Sequence, residues 1–163
     1  MRIHGLRCEY LQNPAAIDVP SPRLSWRLES PQAGQRQAAY RILVAASAGE
    51  LARGHGGLWD SGRVEDGENV SAVYAGQTLV SRQRCYWKVR AWDRAGKPSA
   101  WSEAACWTMG LLASDDWTAA WIGADPAAGP AEFPWLRKTF DLEAEPEDAR
   151  VYVASLGYHE VYL

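Results

Sequence analysis

Apolar and polar residues alternate along short stretches from the start of the chain, and Pro, Gly, Asp and Ser punctuate the stretches. A period of two with such punctuation predicts antiparallel strands that bury one face. Residues 23–30 set Leu24, Trp26 and Leu28 against Ser25, Arg27 and Glu29, directly after the breakers Pro20 and Pro22, and predict a strand. In residues 39–47, Tyr40, Ile42, Val44 and Ala46 share one face, while Leu43 and Ala45 make the other face apolar too. That pattern predicts a central strand covered on both sides. The strongest strand signal is residues 84–93, where Cys85, Trp87, Val89 and Ala91 alternate with Tyr86, Lys88, Arg90 and Trp92. Further strands are predicted at the amino terminus and around 58–64, 70–74 and 105–111, with turns at Asp66-Gly67 and over 93–96. One helical signal interrupts them: Ser47 and Glu50 stand at capping-box spacing, and Gly54 can end the turn or two that follow.

About seven short strands in roughly 100 residues is the size and strand number of an immunoglobulin-like or fibronectin type III-like sandwich. The chain therefore reads as all-β, with a first domain over residues 1–110 and a connection over 111–116. A second unit over 117–163 opens with an Ala-, Pro- and Gly-rich loop at 124–134. In that unit Leu136, Phe140 and Leu142 predict one strand, Val151 and Val153 a second, and Tyr158 starts a third. Three strands cannot hide both an apolar face and their free edges, so this second sandwich is expected to be truncated.

Composition narrows the function classes. Seventeen basic and 20 acidic residues give a net charge of −3 without a basic block, which argues against nucleic acid as a partner. No apolar run reaches the ~20 residues that span a bilayer, and no secretion signal opens the chain, so the expected setting is cytoplasmic, with no membrane partner. The 3 cysteines, Cys8, Cys85 and Cys106, fit neither a disulfide framework nor a zinc site and read as small buried residues. His4, His55 and His159 are scattered and complete no metal shell. Asp115, Asp116, Glu143, Glu145, Glu147 and Asp148 lie in turn-like sequence and read as solvated charges, because a raised carboxyl pKa needs burial or a charged neighbour. No catalytic residue, metal or cofactor is assigned.

The unusual number is 9 tryptophans. Trp26 and Trp87 are expected in the core. Tyr86 and Trp92, outward beside Lys88 and Arg90, are the candidate contacts for a sugar or a neighbouring domain. Trp101, Trp107, Trp117 and Trp121 crowd the expected boundary and predict an aromatic interface there.

Several strings in order carry a resemblance over nearly the whole chain. They are residues 6–14 (LRCEYLQNP), 22–26 (PRLSW), 35–45 (QRQAAYRILVA), 58–62 (LWDSG), 86–93 (YWKVRAWD) and 99–103 (SAWSE), followed by Trp121-Ile122-Gly123, residues 136–140 (LRKTF) and Leu156-Gly157-Tyr158. Each is weak alone; the ordered series resembles the amino-terminal part of bacterial α-L-rhamnosidases. The resemblance implies a fibronectin type III-like domain followed by the start of a lectin-like sandwich. It implies a non-catalytic scaffold portion of an inverting glycoside hydrolase that releases terminal α-L-rhamnosyl residues, its catalytic carboxylates lying in an (α/α) barrel beyond this chain. The implied partners are the other domains of that enzyme and, through them, rhamnosylated glycosides; the chain alone is expected to be inactive. The alternative is a carbohydrate-binding module without hydrolytic activity. One departure stands out: where fibronectin type III domains place a Tyr six residues after a Leu, Leu79 is followed by Cys85. A thiol cannot make the phenolic hydrogen bond, which leaves the adjacent Tyr86 as the expected substitute.

Overall fold

A computed structural model describes residues 1–67, 71–124, 135–146 and 148–162. They fall into two compact units, Met1–Ala119 and Ala120–Leu163.

The first unit is an antiparallel sandwich of two sheets. Its elements in chain order are β1 (Arg2–Cys8), β2 (Arg23–Glu29), β3 (Gln37–Ala45), helix α1 (Ala48–Ala52), β4 (Trp59–Asp60), β5 (Ala72–Val73), β6 (Arg84–Asp93) and β7 (Ala105–Thr108). A single 3-10 turn, Ser114–Asp116, follows. One sheet has the order β1-β2-β5 and the other β4-β3-β6-β7. The long pairing of β3 with β6, Ala45 against Tyr86 through Gln37 against Asp93, is the spine of the second sheet. As its two apolar faces predict, β3 is central: Ile42 and Val44 enter the core, while Leu43 and Ala45 are buried on the other side beneath Leu51 of α1. The Ser47 hydroxyl accepts from the Glu50 N–H and starts that helix at the expected place.

The core forms where the period-two patterns of both sheets meet. Ile3, Cys8, Leu24 and Trp26 from one sheet face Ile42, Val44, Cys85, Trp87, Val89 and Trp107 from the other, all buried. Each fully buried large side chain contributes roughly 1.5–3 kcal/mol before entropy is counted. Edge-to-face aromatic pairs fix the packing: Trp26 with Tyr40 at 5.1 Å between ring centres, and Tyr74 with Trp107 at 6.1 Å.

Several expectations are corrected. Beyond Asp60 the predicted strand at 58–64 survives only as an isolated bridge of Val64 to Tyr40, because Gly62 turns the chain at φ 61° and Asp60 accepts the Gly62 N–H. The strand predicted at 70–74 is Ala72–Val73, with Val70 outside the described residues. The turn expected at Asp66-Gly67 borders residues 68–70, which lie outside the described residues, whereas the 93–96 turn forms, with Gly96 at φ 75° donating to the Asp93 carbonyl at 2.9 Å. Trp107 is not at a boundary but wholly within the core, and Cys106 is half-buried rather than buried.

The corner between the sheets is held by a residue other than the one expected. Tyr86 points outward; instead the Tyr74 hydroxyl donates to the carbonyl of Gln77 at 2.8 Å and lies 3.3 Å from that of Leu58. Gln77 in turn donates from its backbone to Leu58 and from its side chain to the Gly57 carbonyl. Gly76 lies so close beneath that a Cβ there would stand 2.4 Å from the Leu58 carbonyl oxygen, so only glycine fits.

In the second unit, the described residues form no strand or helix. The strands expected around Leu136–Leu142, at Val151 and Val153 and from Tyr158 are absent there, and Leu136, Phe140, Leu142, Val151, Val153 and Tyr158 are exposed. Alternation supplies a strand with a face but not with a hydrogen-bonded neighbour, and these segments do not pair with one another. Trp135 stacks on Tyr162, with ring centres 6.2 Å apart.

Candidate interaction surface

In the first unit, strand edges, turns and paired charges position the motif strings between residues 6 and 103, and several of their polar side chains are bonded inside the domain. Glu9 of the first string meets Arg23 of the second: the Arg23 N–H donates at 2.6 Å to one carboxylate oxygen and its Nη2 at 2.7 Å to the other. Hydrogen bonding from Arg23 holds the Glu9 carboxyl below its ordinary range, outweighing its own burial. Arg41 and Asp60 form the same kind of bidentate pair between β3 and β4, and the Arg41 hydrogen bond likewise lowers the Asp60 carboxyl. Ser61 accepts the Ile42 N–H at 2.8 Å, and Asn13 accepts the Cys106 N–H at 2.9 Å. In 99–103 the hydroxyls of Ser102 and Ser99 accept the backbone N–H groups of Val89 and Ala91 on β6, at 3.1 and 3.2 Å. These residues fasten strands to one another.

The outward face of β6 carries the predicted contact residues. Tyr86 is half-buried beside the Leu43, Ala45 and Leu51 cluster, with the Arg84 guanidinium 5.4 Å from its ring centre. Trp92 is half-buried under Arg63 at 5.0 Å. Between them in space along the strand, Trp101 carries Lys88 at 5.2 Å and Arg90 at 4.7 Å. The Lys88 ammonium donates to the Leu51 carbonyl at 2.6 Å, and desolvation first, then Arg90, lowers its pKa. The structure thus brings Tyr86 and Trp92 onto one face but covers both rings with neighbouring cations. Trp101, expected at a boundary, belongs to this face.

Sequence reasoning missed a cleft of about 520 Å³ lined by residues 1–6, Gln12, Asn13 and 100–105. Its origin is topological. Residues 13–17 leave β1 and run along β7, with Thr108 donating to Pro14, Ile17 to Thr108 and Gly110 to Ile17, so the edge at 106–110 is covered. The edge of β1 and the irregular segment before β7 are left facing each other. A bulge in β1 between His4 and Arg7, with Gly5 at φ 61°, bends that edge.

Among the described residues, the carboxyls that depart from their ordinary range, Glu9, Asp60, Asp116 and Glu160, are all lowered, whereas a general acid needs a raised one. Asp116 is bound by Ser81 and by the Ala113 N–H at 2.9 Å, which lower its carboxyl and tie the 111–116 segment to the sandwich. Among the described residues no group of three or more His, Cys, Asp or Glu side chains is placed to hold a metal, and Glu147 lies outside them. Burial pushes the Cys8 and Cys85 thiols up to about 12, the reverse of an activated nucleophile.

Two facing antiparallel sheets of three and four strands, with a surface of fasteners rather than reactive groups, define an immunoglobulin-like sandwich domain. Residues 3–113 match the family described as Rha78A-like, N-terminal immunoglobulin domain, and the chain belongs to that family. An α-L-rhamnosidase from Streptomyces avermitilis is 35% identical over 99% of the chain, and one from Alteromonas sp. (strain LOR) is 35% identical over 93%. The chain spans 17% of the length of either relative. Among solved structures, the S. avermitilis α-L-rhamnosidase complexed with L-rhamnose matches with a TM-score of 0.73 at 40% identity, covering 77% of this chain and 12% of that one. The α-L-rhamnosidase from Dictyoglumus thermophilum matches with a TM-score of 0.74 at 31% identity, covering 77% of this chain and 14% of that one.

Proposed function

We propose that this chain is the amino-terminal, non-catalytic scaffold of an enzyme that hydrolyses terminal α-L-rhamnosyl residues from glycosides. The observation that carries the reading is the conjunction of family membership over 3–113 with motif residues whose polar groups are used to join strands. Inverting hydrolysis needs two carboxyl groups ~6.5–9.5 Å apart across a sugar, one with a raised pKa. The carboxyls here that depart from their ordinary range, Glu9, Asp60, Asp116 and Glu160, are all lowered by hydrogen-bonding partners. The partners of the scaffold are the remaining domains of that enzyme, and residues from 117 onward begin its next sandwich, which gains its strands when their neighbours are supplied. The test is hydrolysis of p-nitrophenyl α-L-rhamnoside by this chain and by the same chain continued through the remaining domains. Turnover only in the longer protein supports the reading. Turnover by the 163-residue chain overturns it, and so does a folded longer protein that turns over other glycosides but not this one.

A further inference from the structure

We propose that the cleft between β1 and the segment before β7 binds a neutral, polyhydroxylated sugar. The cleft, at about 520 Å³, falls within the ~300–1,000 Å³ range of small-molecule sites. Its lining differs in kind from the rest of the domain surface described above. Outside the cleft, Glu9, Arg23, Arg41, Asp60 and Ser99 use their side chains to hold strands together, as Asn13 and Ser102 do on its lining. Arg2, His4, Gln12 and Glu103, which line the cleft, make no such bonds within the domain. Trp101 forms part of the wall and is held in place by Lys88 and Arg90 on its ring, so that wall is set before any ligand arrives.

The chemistry of the four free side chains selects the ligand. A guanidinium and a carboxylate cancel in formal charge, while an imidazole and a carboxamide each offer donor and acceptor capacity. A hydroxyl group donates and accepts at once, so a ring carrying several of them can satisfy all four side chains. A phosphate would meet Glu103, a metal cation would meet Arg2, and an apolar ligand would strip water from all four without replacing its hydrogen bonds. The class of ligand follows from this lining; the choice of L-rhamnose as first probe rests on the rhamnosidase reading above.

The test is a titration of the full, isotopically labelled chain with L-rhamnose into the millimolar range, followed by amide and indole chemical shifts, with D-glucose and inorganic phosphate run in parallel. The expected result is saturable shifts confined to residues 1–6, Gln12, Asn13 and 100–105, and weakening of about tenfold in Glu103→Gln, a loss typical of one charge-assisted hydrogen bond. Glu103 is exposed, and an unchanged spectrum away from the cleft shows that the variant keeps its fold. Equal response to rhamnose and glucose supports a neutral-sugar site while separating it from the rhamnosidase reading, which hydrolysis tests on its own. No saturable shift with either sugar, shifts centred on Tyr86 and Trp92 instead, or stronger binding of phosphate overturns the proposal.

Discussion

Glu9 and Arg23 show how single residues act in this domain. Both Glu9 and Asp60 have carboxyl pKa values lowered by an arginine partner. The stability they contribute is fully present above the ordinary carboxylate range near ~4 and is lost as pH falls through their lowered values. Thermal unfolding followed from neutral pH into acid is therefore expected to show Tm falling below about pH 4. In Glu9→Gln, Tm is lower at neutral pH and the acid fall is shallower. An unchanged acid profile in that variant would show that the Glu9–Arg23 pair does not contribute to the acid sensitivity. The cysteines give a second residue-level expectation. Cys8 and Cys85 are buried with thiols pushed up to about 12, whereas Cys106 is half-exposed. A thiol reagent added to the native protein should label Cys106 first, and Cys8 and Cys85 only on unfolding, a sequence that peptide mapping reads directly.

Strand β6 is where the elements depend on one another most. It is bonded to β3 along one side, and along the other to β7 at its start and to two serine hydroxyls further on. Replacing Ser99 or Ser102 with Ala leaves the N–H of Ala91 or Val89 without its acceptor, at an expected cost of about 1–3 kcal/mol each, measurable by denaturant unfolding. The long strands and the helix start were legible in the sequence because local rules decide them: alternation for β2, β3 and β6, and the Ser47 cap for α1. The short strand β4 was not legible at its true length, since side-chain bonds from Asp60 and Ser61 end it, and alternation carries no trace of them. The corner at Tyr74 was missed for a related reason. Its phenol reaches carbonyls at Leu58 and Gln77, one of them 16 residues away, and only the tight fit of Gly76 hints at it. The outward placement of Tyr86 and Trp92 was legible from their phase in β6, but not the cations that cover them. The cleft left no sequence signal, because two edges distant in the chain create it.

At the scale of the whole molecule the two units differ in what holds them. Met1–Ala119 closes a core between two sheets, whereas the described residues after Ala119 leave Trp121, Trp135 and Leu156 exposed at 70%, 89% and 93%. Apolar side chains so placed gain most from further strands, which fits a chain spanning 17% of its curated relatives. On the proposed reading, the sandwich holds structure and does no chemistry. The test is to place Ser99→Ala, which lies outside the cleft lining, in the proposed parent enzyme and measure, on the same preparation, Tm and kcat/KM for p-nitrophenyl α-L-rhamnoside. A scaffold role predicts a lowered Tm for the sandwich with kcat/KM per folded molecule unchanged; a fall in kcat/KM at an unchanged Tm would contradict it.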